Sequence, residues 1–71
     1  MTKTLRELGE EYLEEIEILD EKIERYRKRL KKAFEETNSD EIFTVQRLLR
    51  VFYKQRYEMM ETARTLLNYY S

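Results

Sequence analysis

The chain predicts an all-α fold, an antiparallel two-helix coiled-coil hairpin that associates into a four-helix bundle. Three observations carry that expectation. Apolar residues recur at alternating steps of three and four along two stretches of about 30 residues. Turn-forming residues are nearly absent, with one Gly and no Pro, and the run Thr37-Asn38-Ser39-Asp40 is the interior's single cluster of small polar side chains. Charged and hydrophobic residues each make up 41% of the chain, the balance of long amphipathic helices.

The first helix is expected over residues 4–36. Its seam runs Leu5, Tyr12, Ile16, Leu19, Ile23, Tyr26, Leu30 and Ala33. With Ile16 at heptad position a, Leu5, Tyr12, Leu19, Tyr26 and Ala33 fall at d, and Thr2 and Gly9 are the weak members. Thr4 and Glu7 have capping-box spacing, which places the start of the helix there. The polar side chains of residues 37–40 compete for the backbone's hydrogen bonds and end the helix. Asn38 or Ser39 is then the cap of a second helix over residues 40–69, with Asp40 and Glu41 at its positive end. So short a connection makes the helices antiparallel, and residues 1–71 form one domain.

The second helix repeats the seam through Ile42, Val45, Leu49, Phe52, Met59, Ala63, Leu66 and Tyr70, with Arg56 interrupting at a. It also carries Phe43, Leu48, Val51, Tyr53, Tyr57, Met60, Leu67 and Tyr69 outside the seam, more apolar girth than one neighbouring helix can cover. A chain of 71 residues buries little surface alone, and with no Cys and no His the staple left to it is association. The expected interface residues are Phe43, Leu48, Val51, Phe52, Tyr53, Tyr57, Met60, Leu67 and Tyr70. The first helix, with a narrower stripe and more charge, is expected to lie further out.

Charge is segregated along the chain. From Glu7 to Glu24 there are nine acidic residues and one base, Lys22; Arg25, Arg27, Lys28, Arg29, Lys31 and Lys32 follow without an acid. Residues 25–54 hold nine basic and four acidic side chains, a net +5, and the remainder holds five and eleven, a net −6. Two hairpins lying antiparallel set each basic tip against the other's acidic open end, whereas a parallel pairing stacks like charges. The expected partner is therefore a second copy in an antiparallel homodimer, or else a helical surface of another protein. Arg56 needs a carboxylate: Asp20, Glu17 or an acid from a second hairpin would make it a register-setting residue.

Other chemistry is weaker. The basic tip, through Arg25, Lys28, Arg29, Lys32, Arg47 and Arg50, is the place for nucleic-acid phosphates, yet the basic run wraps several sides of the helix rather than forming a stripe. In size and shape the expected hairpin resembles the plasmid-encoded RNA-binding hairpins that dimerise into four-helix bundles, without sharing a motif with them. Leu19-Asp20-Glu21-Lys22-Ile23 is similar to a stretch in the first helix of all-α chorismate mutases. Where that family carries two arginines and its catalytic lysine, this chain has Leu13, Leu30 and Glu41, so the likeness implies no mutase chemistry. The acids of the Glu-rich run fall on outer heptad positions, and without His a di-metal bundle site is not expected. The functional expectation is a non-enzymatic, cytoplasmic interaction or scaffold module with no cofactor, no metal, no small-molecule substrate and no membrane span. Its alternative is a small regulatory protein binding nucleic acid at the basic tip.

Overall fold

In the computed structural model, which describes residues 2–69, the chain is two long helices, α1 (Leu5–Glu35) and α2 (Ser39–Asn68), folded against each other into a hairpin. It is a rod with principal dimensions of 51 × 20 × 15 Å. Among the described residues there is no strand, and no helix is long and apolar enough to cross a membrane.

The ends of both helices follow from short-range hydrogen bonding. The Thr4 hydroxyl accepts from the Glu7 backbone N–H at 3.1 Å and satisfies one of the donors that a helix start leaves open. At the other end of α1, Thr37 takes a left-handed conformation, φ 54°. The Asn38 N–H then donates to the Ala33 carbonyl at 2.9 Å, and the Thr37 N–H to the Phe34 carbonyl at 3.2 Å, which is the Schellman pairing. Glycine is the usual residue there, and a β-branched threonine occupies the site at a conformational cost of about 1–2 kcal/mol. Asn38 also caps α2, its Oδ1 accepting from the Glu41 N–H at 3.2 Å. One residue thus closes the first helix and opens the second, which makes a connection of three residues, 36–38.

The seam buries Ile16, Leu19, Ile23 and Ala33 from α1 and Val45, Leu49, Phe52 and Ala63 from α2. Its thickest part is the cluster of Leu19, Ile23, Val45, Leu49 and Phe52, with Tyr26, Leu30, Leu48 and Met59 packed around it. The Tyr26 and Phe52 rings meet at 5.1 Å between centroids, tilted by 57°. Small residues sit toward both ends of the seam, Ala33 near the tip and Gly9 and Ala63 near the open end. Gly9 is buried, and a Cβ on it would lie 2.8 Å from Leu67 Cγ and 3.4 Å from Leu66 Cβ. The position that the heptad pattern marks as weak is the one where Leu67 of α2 takes the place of a side chain.

Candidate interaction surface

Closing the hairpin leaves large apolar side chains uncovered on both helices. From α2 these are Phe43, Val51, Tyr53, Tyr57 and Tyr69, with Phe43 62% and Tyr57 68% exposed. From α1 they are Leu13, Ile18 and Phe34, with Ile18 65% exposed. The α1 residues were passed over because they stand at heptad positions e and c, outside the seam. The same count of off-seam apolar residues that singled out α2 would have found them.

The structure sorts the expected interface residues into three groups. Phe43, Val51, Tyr53 and Tyr57 are exposed and available to a partner. Leu48, Met60 and Leu67 are half-buried; Leu48 leans on the core and Leu67 lies over Gly9. Phe52 stands apart from these. It is 8% exposed, stacked on Tyr26 with the Lys22 ammonium 4.8 Å above its ring, so it belongs to the hairpin's own core. Its d position points it between the two helices. Tyr70 lies outside the described residues.

These side chains divide between the two broad sides of the rod. Tyr53 shares one depression with Asp20, Ile23, Glu24, Arg27 and Arg56. Ile18 shares another with Glu15, Leu19, Lys22, Gln55, Glu58 and Met59. In an antiparallel pair e packs beside e and g beside g, so the first side also carries Leu13, Phe34, Met60 and Leu67, and the flanking b positions add Phe43 and Tyr57. The second side carries Leu8, Ile18, Leu48, Val51 and Tyr69. The first is thus the more aromatic and the more continuous of the two.

Arg56 resolves its own seam position by reaching to the rim of the first side. Its Nε donates to Asp20 Oδ1 at 2.6 Å, and a terminal nitrogen donates to Asp20 Oδ2 at 3.5 Å, a forked pairing. Of the acids named from the sequence, Asp20 is the one that reaches it. The hydrogen bond to Asp20, followed by its charge, raises the Arg56 pKa above its ordinary value. The pair remains 39% and 45% exposed, so its own contribution is about 0–1 kcal/mol.

At the tip the basic residues are partly engaged within the chain. Arg29 donates to Glu41 across the hairpin, and that hydrogen bond, ahead of the other influences, raises the Arg29 pKa. Arg29 also lies 5.4 Å from the Tyr26 ring, Lys32 is 3.9 Å from Glu36, and Arg47 sits 5.9 Å from the Phe43 ring. Arg27, Lys28 and Lys31 line a shallow depression with Glu24. Arg25, Lys28, Arg47 and Arg50 are exposed, but on different sides of the two helices. At the open end Lys3 pairs with Glu11 and Arg6 with Glu10, which partly offsets the acidic run.

Comparison of the chain with protein-family models, with curated proteins and with solved structures gave no match.

Proposed function

We propose that this chain is a non-enzymatic, self-associating helical module in which two hairpins lie antiparallel, face to face, and close a four-helix bundle. The observation that carries this reading is the set of large apolar side chains left in water once the two helices have packed, Phe43, Tyr53 and Tyr57 foremost. Fully covering a side chain of this size contributes about 1.5–3 kcal/mol, so several of them supply an association energy that surface ion pairs do not. The charge distribution supplies orientation: a net +5 over residues 25–54 and a net −6 over the rest attract each other when the tips point apart.

Light scattering coupled to gel filtration tests the reading. A single species of twice the chain mass over a range of concentrations is the expected result. A monodisperse monomer overturns it, and a monomer captured by another helical protein moves the same surface to a heteropartner.

The depression lined by Arg27, Lys28 and Lys31 favours a second reading, a basic tip that engages nucleic acid. Titrating short RNA and DNA duplexes at two salt concentrations separates the two. A saturable complex that weakens steeply with salt supports the second, and no complex supports the first.

A further inference from the structure

The side of the rod that carries Tyr53 is where the geometry points for the second copy. We infer that the twofold axis of the pair passes beside Tyr53 and the Asp20–Arg56 ion pair. This inference rests on the self-association reading and adds the face and the register.

The face is chosen by composition. The Tyr53 side presents Phe43, Tyr53, Tyr57 and Leu13 as exposed apolar groups, with half-buried Met60 and Leu67 continuing the strip to the open end. Tyrosine and phenylalanine are the side chains that anchor interfaces, combining large apolar area with few torsions to immobilise. Both sides carry charges beside their apolar groups, but the opposite side exposes Ile18, Val51 and Tyr69, fewer large apolar groups and a single aromatic ring among them.

The register follows from the helix midpoints and the charges. Asp20 is the middle residue of α1 (Leu5–Glu35), and Tyr53 is at the middle of α2 (Ser39–Asn68). In a twofold pairing with tips at opposite ends, α1 packs on α1 and α2 on α2, and the middle residues face their own copies. Counting outward from the middle, Lys31 of one copy comes level with Gly9 of the other, next to Glu10. Arg50 comes level with Arg56, one residue short of Tyr57, and Phe43 level with Ala63, one residue short of Arg64, so each guanidinium–ring pair lies within one residue of register. A parallel twofold pairing would set α1 of one copy on α2 of the other and bring both basic tips to one end and both acidic ends to the other. The occupant that matches this surface is therefore the surface itself, turned end for end. Asp20 would approach its copy at the axis, and its forked partner Arg56 neutralises that approach.

The chain has no cysteine, so single-cysteine variants report the geometry directly. Tyr53→Cys, at an exposed position, is expected to form a disulfide-linked dimer in high yield under mild oxidation, and Val51→Cys, on the opposite side, to form little. Mixing Lys31→Cys with Glu10→Cys is expected to yield the mixed dimer through a short bismaleimide. Circular dichroism verifies that each variant is helical, and light scattering of the wild-type chain is read alongside. If the chain is dimeric but Val51→Cys crosslinks and Tyr53→Cys does not, the face is wrong while self-association stands. Efficient self-crosslinking of Lys31→Cys overturns the antiparallel register. A monomeric chain removes both this inference and the reading beneath it.

Discussion

The tip half and the open half of the hairpin build the same seam in opposite ways. Near the tip, Ile23, Val45, Leu49 and Phe52 interdigitate large side chains, and Tyr26 stacks on Phe52. Near the open end, Gly9 and Ala63 are small beside the larger Ile16, and Leu66 and Leu67 pack into the space left by the missing side chain. The first solution buries much apolar area between two helices. The second depends on the absence of a side chain at Gly9, where Leu67 packs. Arg56 marks the boundary, between Phe52 on one side and Met59 and Ala63 on the other. The contrast teaches that the tip half holds the hairpin together, and that the open half gains most from whatever covers it.

The largest expected effect tests the tip. Phe52→Ala removes the ring that joins Tyr26, Lys22 and the core, and should cost about 3–5 kcal/mol. Urea unfolding followed by helical circular dichroism reads it; a loss below about 1 kcal/mol would mean that the tip cluster is not the anchor. Gly9→Leu attacks the other solution. Its side chain has no room beside Leu66 and Leu67, so the open end must part, at an expected cost of about 1–3 kcal/mol. Amide exchange should rise near Leu66 and Leu67 and remain unchanged at Val45 and Leu49.

At the boundary, Arg56→Leu replaces a half-exposed ion pair by apolar packing and should raise the melting temperature, by about 1 kcal/mol of stability. The same variant should broaden a single oligomeric species into several, as seen by light scattering. If neither melting nor the species distribution changes, the guanidinium is a bystander. Because pairing with Asp20 raises the Arg56 pKa, its contribution is complete from neutrality up to the ordinary guanidinium range, where the Asp20 carboxylate carries its charge. On the alkaline side it is lost as pH rises through the still higher value of the folded state, so the guanidinium itself adds no pH dependence near neutrality. The smallest effect sharpens the tip itself. Thr37→Gly relieves the left-handed strain at φ 54° and should stabilise the hairpin by about 0.5–1 kcal/mol, part of the relief being offset by glycine's freedom in the unfolded chain. Thermal unfolding at matched concentration reads it, and a lowered melting temperature contradicts it.

The helices, their antiparallel arrangement and the caps at Thr4 and Asn38 were legible in the residues because each depends on neighbours within one or two turns. The heptad seam was legible for the same reason, down to Asp20 as one of the acids within reach of Arg56. The left-handed Thr37 gave no local signal, since the Schellman motif formed without its usual glycine. Phe52 was read both as seam and as interface, and one-dimensional periodicity alone did not separate the two roles.

What the sequence by itself determined is the set of elements: two amphipathic helices, where they stop, and how their charges are segregated. Local hydrogen bonding and side-chain periodicity are properties of consecutive residues, so a linear reading reaches them. What only the tertiary structure decided is how the helices are rotated and offset against each other. That rotation buried Phe52, brought Leu67 over Gly9, joined Asp20 to Arg56 and left Leu13, Ile18 and Phe34 in water. Such choices depend on how side chains from distant parts of the chain fill the same space, and no single helix contains that information.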